Sequence, residues 1–502
     1  MMKTLGIVSH YFEDKTVVFS IERLIKNPIY IVEHLPIGTK VIVEVDTFIL
    51  DESKLIYTGY HISKDEDDDL LIKILYDLEE ISDLKPNVTD PFIRKDLNNM
   101  YVVTIDPKES KDLDDAISIC DDRLYIHIAD LVSYFSENLD EILKRGNTFY
   151  LRNSNVPMIP REYSENLISL LPGSSKRAIT LEFDTNTLEL LKFYPSSITN
   201  NLKMSYEDVD NILNNENLDN MPEQAIKLIT DMEIIYQKLD NNSGISTYTS
   251  SKSHHMIEKL MILANNSIAK LSPNILYRFH KLPYSNKAGY LQRFIGSQIN
   301  KFIDVNSEDI NESLTLVKQK KTVEYLKNHM MSKALYSTTD TSHWALGLEK
   351  YTHFTSPIRR AADVIVHMKL LLPATKLNIE SYIECINDTE TMQMSIEALL
   401  EELDCRRKLA KKIWFNGCVI KITPKEVDYY IPYYKGVHTF HISECSDGEF
   451  MTYTKDKSGQ LKSDNYHYYL GKCNTLKLES YNYRTGKKVF KIIQDDVSPE
   501  LL

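Results

Sequence analysis

The sequence predicts an α+β protein in which a central region of mixed strands and helices lies between two small β-barrels. Three observations support this architecture. Residues 1–90 alternate apolar and polar side chains in short runs rich in Val, Ile and Tyr, a pattern typical of strands. Residues 91–413 open with strand-like runs and then become helical. Residues 414–502 return to an alternating, Tyr-rich pattern, which again indicates strands.

The N-terminal strands include the segments KTVVFSIERL and TKVIVEVDTFIL, and they are separated by short polar turns. Several short strands at this spacing favour a small barrel. The acidic segment KDEDDDL, residues 64–70, interrupts the pattern. We expect its carboxylates to lie in a solvated loop and not in a functional site.

Two apolar stripes predict long helices in the central region. The segment MIEKLMILANNSIAKL, residues 256–271, places apolar side chains on one face of a helix, and so does the segment from Ile396 to Leu403. A basic cluster, residues 406–412, follows the second stripe. Its cations suit the negative end of a helix dipole, and an alternative role is contact with phosphate groups.

Composition limits the class of protein. The chain has 502 residues, of which 42% are hydrophobic and 26% charged, which is typical of a globular protein. No apolar run approaches the roughly 18 residues of a membrane span, and the N-terminus lacks the apolar stretch of a secretory signal. We therefore expect a soluble cytoplasmic protein. The six cysteines form no CxxC pair, so reduced thiols are expected and a zinc ribbon is not.

The sharpest local signal is the segment TIDPKESKDLDDAISI, residues 104–119, which contains four aspartates: Asp106, Asp112, Asp114 and Asp115. On extended backbone, Asp112 and Asp114 would lie on one face and Asp115 on the other. A turn at PKES would bring Asp106 beside them. Converging carboxylates repel one another, and hard divalent cations such as Mg²⁺ relieve this repulsion. The alternative interpretation is an acidic surface turn.

A second signal is the segment HWALGLEKYTHFTSPIRRAADVIVH, residues 343–367, where SPIRR precedes an apolar helix. Arg359 and Arg360 stand near the start of that helix. Its free N–H groups favour phosphate, and arginine adds a bidentate donor. The alternative is a pair of surface or ion-pair arginines.

Together these segments resemble the catalytic domain of the RNase II / RNase R (RNB-domain) family, which includes the catalytic subunit of the eukaryotic exosome. The resemblance rests on TIDPKESKDLDDA and on YTHFTSPIRR at residues 351–360. Three further blocks follow the family order: HIAD at 127–130, residues 145–172, and residues 262–283. The resemblance implies an RNB-type catalytic domain at 91–413. It also implies a cold-shock/OB-like barrel region at 1–90, as one barrel or two trimmed ones, and an S1/OB-like barrel at 414–502.

The family activity implied is 3′→5′ hydrolysis of single-stranded RNA to nucleoside 5′-monophosphates by a metal-dependent mechanism of the two-metal type. The resemblance assigns Mg²⁺, with Mn²⁺ as an alternative, to Asp106, Asp112, Asp114 and Asp115. It assigns catalysis to Asp114, Asp115 and Arg359, and RNA binding to Tyr150, Arg359 and Arg360. Tyr150 matches the tyrosine that clamps the 3′-terminal nucleotide, and stacking of this kind tolerates any base. The resemblance implies single-stranded RNA as the partner and no association with a membrane. We expect a monomer.

Departures from the family pattern leave alternatives open. Ala361 stands where the family usually has Tyr. Three acidic side chains, Glu401, Glu402 and Asp404, compete for the place of a late acidic residue. Tyrosines of the C-terminal region serve either as stacking platforms or as barrel core. The main functional alternative is a catalytically degenerate RNA-binding or regulatory protein, and a weaker one is a phosphohydrolase acting on small phosphate esters.

Overall fold

The computed structural model of the protein describes most of residues 2–493. The gaps are residues 23–24, 47–52, 83, 88, 137, 217, 219–220, 241–250, 282–293, 296–319, 340, 376–377, 424, 442–453, 456–460, 463–466 and 469. Within the described parts, no helix combines the length and the apolar character needed to cross a bilayer.

The N-terminal strands form one five-stranded antiparallel sheet, in the order β3-β2-β1-β4-β5. The strands are β1 (Met2–Phe12), β2 (Lys15–Ser20), β3 (Ile29–Ile31), β4 (Thr39–Val45) and β5 (Lys54–His61), and helix α1 (Asp68–Leu75) follows them. The sheet buries apolar side chains on both faces, and the cluster around Leu5 and Ile42 packs against α1. This arrangement agrees with the alternating pattern of the sequence.

The expectation of a solvated acidic loop at residues 65–69 was wrong for Asp67 and Asp68, although Asp65 and Glu66 are exposed. Asp67 and Asp68 are buried at the start of α1, and both contact the ammonium group of Lys40, which is itself fully buried in β4. Asp68 also lies 2.8 Å from Arg407 Nη2. The acidic segment therefore provides the counter-charges of a buried cation, because an unpaired ammonium group in this position would be strongly destabilising.

Loss of one of these carboxylates is expected to destabilise the fold. Asp68→Ala leaves the Lys40 and Arg407 charges only partly compensated, so we expect a loss of about 3 kcal/mol in the free energy of unfolding. Urea denaturation measures it. Asp65→Ala, which removes an exposed carboxylate from the same acidic segment, should change stability by less than about 0.5 kcal/mol. Equal effects of the two substitutions would contradict the buried ion cluster.

The central sheet is built from six strands in the order β12-β9-β8-β7-β13-β6, and β12 pairs again with β13. That second pairing closes five of the strands into a ring. The members are β6 (Lys95–Asp96), β7 (Val102–Asp106), β8 (Asp115–Cys120), β9 (Arg123–Ala129), β12 (Ser175–Asp184) and β13 (Leu190–Ser205). A two-stranded hairpin of β10 (Phe149–Tyr150) and β11 (Asn155–Val156) stands apart from the ring.

Helices cover the central sheet and share the largest apolar core with it. They are α2 (Val132–Phe135), α3 (Leu139–Arg145), α4 (Tyr206–Leu213), α5 (Glu223–Asp240), α6 (Lys252–Leu271), α8 (Ala361–Leu371) and α9 (Glu380–Leu409). The helix between α6 and α8 in the chain, α7 (Lys320–Met330), instead buries Val323 and Leu326 in a cluster with side chains of the C-terminal strands. A π-turn spans Tyr163–Leu167, a 3-10 turn spans Trp344–Leu346, and β14 (Tyr277–Phe279) pairs with β15 (Leu335–Ser337). The two predicted helical stripes are confirmed, since α6 buries Leu260 and Ala264 and α9 buries Ile396 and Leu403.

The C-terminal region forms a second five-stranded antiparallel sheet in the order β18-β17-β16-β22-β23. Its strands are β16 (Trp414–Ile422), β17 (Glu426–Ile431), β18 (Gly436–His441), β22 (Cys473–Asn482) and β23 (Lys487–Ile493); β19 (Thr454–Lys455), β20 (Leu461–Lys462) and β21 (His467–Tyr468) form a separate small sheet. Tyr429 and Tyr430 are buried and belong to the core, whereas Tyr433 is exposed. The predicted α+β architecture, with strands at both ends of the chain, is confirmed.

The basic cluster after the second helical stripe is mainly structural. Arg406 is buried and donates to the carbonyl oxygens of Tyr483 and Arg484 in the C-terminal region, at 3.1 and 2.9 Å. Arg407 donates to Ile62 O and Lys64 O beside the N-terminal sheet, both at 2.9 Å. These two arginines therefore join the end of α9 to both flanking regions.

Candidate active site

All four aspartates of the carboxylate motif line one cavity of about 610 Å³. Asp106 ends β7, Asp115 begins β8, and Asp112 and Asp114 lie in the connection between these strands. The opposite placement of Asp115, which was expected only for extended backbone, does not apply, and Asp115 lines the same cavity as Asp112 and Asp114. The connection is not extended strand before Asp115, so the alternation of a strand does not apply to it.

The connection is held in place by its neighbours. Leu113 is fully buried, and its backbone N–H donates to Ser169 Oγ at 3.0 Å. The carbonyl oxygen of Asp114 accepts from the N–H of Ala129 at 2.8 Å. The apolar residue between two aspartates thus anchors the segment, while the carboxylates on either side remain on the cavity.

Asp114 joins the two sequence motifs. The residue is only 4% exposed, and Oδ1 accepts from the backbone N–H of Ile358 at 2.8 Å. Oδ2 lies 3.3 Å from Arg359 Nε. The carboxylate motif and the SPIRR motif are therefore in direct contact, although 244 positions separate Asp114 from Ile358.

Burial and mutual repulsion disfavour the charged form of these carboxylates. Burial, followed by the charge of Asp115, raises the pKa of Asp106 to about 8. Burial raises the pKa of Asp115 to about 6, and Arg359 only partly opposes this. Burial also raises the pKa of Asp112, and it raises that of Asp114 well above its ordinary value despite the nearby Arg359. Ionisation of the whole cluster would therefore require more positive charge than the surrounding cations supply.

The donor chemistry of the cluster fits a hard divalent cation. All four side chains offer carboxylate oxygens, the ligands that Mg²⁺ prefers, and their uncompensated charge would favour a cation in the cavity. Within the described residues, however, no group of three or more His, Cys, Asp or Glu side chains is already arranged as a metal site. A metal site here is therefore supported by ligand type and by charge, and not by a formed coordination shell.

The two arginines of SPIRR have different surroundings. Arg360 precedes α8, and its guanidinium contacts both carboxylate oxygens of Asp363 at 2.8 Å. Asp363 is fully buried and also accepts from the N–H of Ser356 at 2.8 Å. Arg359 is 40% exposed on its side chain and faces the carboxylates. Both arginines line the cavity, but Arg360 is already engaged in an ion pair that stabilises the motif.

Ala361 occupies a tightly packed position at the start of α8. It is fully buried, and its N–H donates to the carbonyl oxygen of Gly146 at 2.7 Å. The N–H of Thr148 donates to Arg359 O at 3.0 Å. The motif thus keeps these backbone contacts with alanine at position 361, and the departure from the family pattern removes no candidate metal ligand.

Tyr150 lies on the cavity wall at the end of β10 and is 42% exposed. Gln393 of α9 holds its backbone from both sides, accepting from Tyr150 N at 3.1 Å and donating to Tyr150 O at 3.2 Å. Gln393 in turn donates to Glu397 at 2.8 Å. The ring of Tyr150 is thus presented to the cavity by a backbone that is fixed on α9.

None of the three late acidic candidates lines the cavity. Glu401 pairs with Lys435, Glu402 pairs with Arg406, and Asp404 pairs with Arg152 and Arg407. The acidic residue of α9 that the structure connects to Tyr150 is Glu397, through Gln393. The helical stripe predicts which face of α9 is apolar, but it does not predict which turn meets the hairpin.

The structure adds two aromatic side chains to the cavity wall, Tyr206 and His254. Their rings are stacked, with centroids 3.5 Å apart. Burial, and then the charges of Asp115 and Asp106, raise the pKa of Tyr206. Sequence analysis missed both residues. The only local signal is the Ser205–Asp208 capping box, which places Tyr206 at the first turn of α4 directly after β13.

Comparison with protein families shows that the sequence model of the RNB domain matches residues 94–375. Ribonuclease R from Mycoplasma genitalium is 26% identical over 485 residues, which cover 80% of this chain and 66% of that protein. The first three curated relatives, all named Ribonuclease R, are covered over only 44–66% of their lengths, which is less than two thirds.

Solved structures show the same fold. The structure described as Mycoplasma genitalium RNase R in complex with ribose methylated single-stranded RNA has a TM-score of 0.78, with 21% identity, and the match covers 98% of this chain and 90% of that one. Yeast Ssd1, described as a pseudonuclease, has a TM-score of 0.70, with 15% identity, and the match covers 92% of this chain and 67% of that one.

Proposed function

The chain belongs to the RNB domain family, and on this premise we propose that it is a 3′→5′ exoribonuclease. It hydrolyses single-stranded RNA to nucleoside 5′-monophosphates. The observation that carries the proposal is the contact of Asp114 with Ile358 and Arg359, which brings the carboxylate cluster and a partly exposed guanidinium together on a cavity that also holds Tyr150.

The roles follow from the positions of the side chains. The 3′-terminal base stacks on the exposed ring of Tyr150, which accepts any base because every base has a π-face. Arg359 donates to the oxygens of the scissile phosphate, where negative charge develops during the reaction. Arg360 contacts the same phosphate region and, through Asp363, keeps the SPIRR backbone in place. Asp114 orients Arg359 toward the phosphate and holds the SPIRR backbone by accepting from the N–H of Ile358.

The predicted Mg²⁺, or Mn²⁺ in its place, would be held by Asp106, Asp112, Asp114 and Asp115, and it would supply charge neutralisation and activation of water. The mechanism proposed is of the two-metal type. The carboxylates contribute the negative charge that such a centre needs, and their burial keeps water from screening that charge. Tyr206 closes the wall beside Asp106 and Asp115.

The alternative is an RNA-binding protein that has lost catalysis. The similarity to the pseudonuclease Ssd1 supports this alternative. The presence of all four aspartates and of Arg359 on one cavity favours the enzyme. The expected monomeric state and cytoplasmic location, together with the domain boundaries at residues 90 and 413, stay predictions.

The proposal is tested by a gel time course with 5′-labelled single-stranded RNA in the presence of Mg²⁺. We expect a ladder that shortens from the 3′ end and nucleoside 5′-monophosphates as products. Cleavage should be lost completely in EDTA, because without a cation the anionic carboxylates repel the anionic phosphate. RNA that is bound but not shortened would support the degenerate binder instead. Hydrolysis of small phosphate esters in place of RNA would support the phosphohydrolase.

A further inference from the structure

The hairpin that carries Tyr150 is held at its far end by the N-terminal region. Residues 151–154 form the turn between β10 and β11, closed by the N–H of Leu151 donating to Ser154 O at 2.9 Å. The turn follows Tyr150 directly. Any displacement of this turn therefore moves the backbone from which the Tyr150 ring projects into the cavity.

Asp69 of helix α1 caps this turn with both of its carboxylate oxygens. Oδ1 accepts from the N–H of Arg152 at 2.9 Å. Oδ2 accepts from the N–H of Asn153 at 3.0 Å and from Ser154 Oγ at 2.7 Å. A carboxylate that accepts from successive N–H groups forms charge-assisted hydrogen bonds, which are stronger than neutral ones. One side chain of the N-terminal region thus fixes three residues of the turn.

Neighbouring charges fix the side chain of Arg152 in the same place. Arg152 Nη1 lies 2.7 Å from Asp404 of α9, and its Nε lies 3.2 Å from the buried Asp68, the residue before Asp69. Asp68 contacts Lys40 and Arg407 as well. Helix α1, the turn and the end of α9 are therefore linked by one cluster of charges around Asp68.

The other end of the hairpin is held by the active-site elements. Gln393 of α9 holds the backbone of Tyr150, and Arg359 O accepts from the N–H of Thr148. Phe149 and Val156 of the hairpin pack in an apolar cluster with the N-terminal sheet and α1, and polar contacts to β10 and its turn come from α9, the SPIRR segment and Asp69. Of these polar contacts, only those of Asp69 come from the N-terminal region, which lies before residues 94–375 that match the RNB domain.

We propose that Asp69 is a positioning residue for Tyr150, so that helix α1 of the N-terminal region sets how the 3′-terminal base is held. This proposal rests on the proposed function, because it concerns the stacking of that base. It assigns to the N-terminal region a part in forming the nucleotide site itself. Without the Asp69 cap, the turn can shift and the Tyr150 ring leaves its stacking position for part of the time.

The test compares Asp69→Asn with Asp77→Asn in the full chain. Both substitutions are isosteric and remove one negative charge, but Asp77 is exposed at the other end of α1 and pairs with Lys3. Asp69→Asn places an amide donor against the donors of the turn. Two RNAs are used, one with an ordinary 3′ end and one with an abasic 3′-terminal nucleotide that has no base to stack. Affinity is measured by fluorescence anisotropy in EDTA, and kcat and KM are measured in Mg²⁺.

Asp69→Asn is expected to weaken binding of the ordinary RNA about tenfold, the size typical of a hydrogen bond to a charged group. The loss should disappear on the abasic RNA and in a Tyr150→Ala background, because in both cases there is no stacking to impair. Asp77→Asn should stay within about twofold of the wild type on both RNAs. A general loss of structure would instead weaken both RNAs equally, and that result would overturn the proposal.

The outcomes separate this proposal from the proposed function. A wild type that binds RNA but does not shorten it would overturn the exonuclease, and the anisotropy comparison would still decide the role of Asp69. A wild type that shortens RNA, with Asp69→Asn equal to Asp77→Asn, would overturn the positioning role alone. A wild type that neither binds nor shortens RNA would overturn both.

Discussion

Asp114→Asn is expected to reduce RNA hydrolysis by about three orders of magnitude while RNA affinity stays within a few fold of the wild type. The substitution keeps the shape of the side chain and the acceptor for the N–H of Ile358. It removes the charge that faces Arg359 at 3.3 Å and one of the four carboxylates offered to a cation. Single-turnover rates and anisotropy measure the two quantities separately.

The control for this substitution is Asp122→Asn, in the exposed turn at the other end of β8. It removes the same charge from the same strand region, and activity should be unchanged. Hydrolysis that persists in Asp114→Asn would mean that the cavity is not the active site. A large loss of affinity would mean that Asp114 acts mainly by holding the SPIRR segment together.

Arg359→Lys is expected to lower kcat about a hundredfold with little change in KM. Lysine keeps the positive charge but lacks the planar fork that contacts two phosphate oxygens at once. Because the charge on the phosphate grows during the reaction, the loss should fall on the chemical step. Steady-state kinetics with single-stranded RNA separates kcat from KM.

Arg123→Lys is the matched control, since Arg123 has a similar side-chain exposure, 37% against 40%, and also pairs with an aspartate, Asp184. Its replacement should leave both kinetic parameters unchanged. A rise in KM at constant kcat in Arg359→Lys would contradict the assigned role, because it would place Arg359 among the groups that bind the ground state.

The sequence predicted the parts of the structure that depend on local pattern. The stripes of α6 and α9 have the expected form, because burial of one helix face imposes a period of 3.6. Strands form at both ends, where runs rich in β-branched and aromatic residues predict them. The site residues were also found locally, as two dense motifs. The contact between the two motifs was not predicted, because no local pattern indicates that the N–H of Ile358 donates to Asp114.

One wrong prediction and one alternative left open share a physical cause. The acidic segment at residues 65–69 has the composition of a solvated loop, and its partner Lys40 belongs to a strand that reads as ordinary alternation. Likewise, the acidic residues near the end of α9 look equivalent in sequence, and only the packing of Gln393 against Tyr150 distinguishes Glu397 from Glu401. Long-range pairing of charges leaves no periodic trace in a sequence.

The arginines at the end of α9 affect whether the central region can be produced without its flanking regions. Arg406 and Arg407 are neighbours, yet one donates to carbonyl oxygens of the C-terminal region and the other to those beside the N-terminal sheet. A chain cut after residue 413 would keep the buried guanidinium of Arg406 and lose both of these acceptors, and removal of residues 1–90 would do the same to Arg407. The three regions are therefore not independent units, because each flanking region supplies carbonyl acceptors for a cation of the central region.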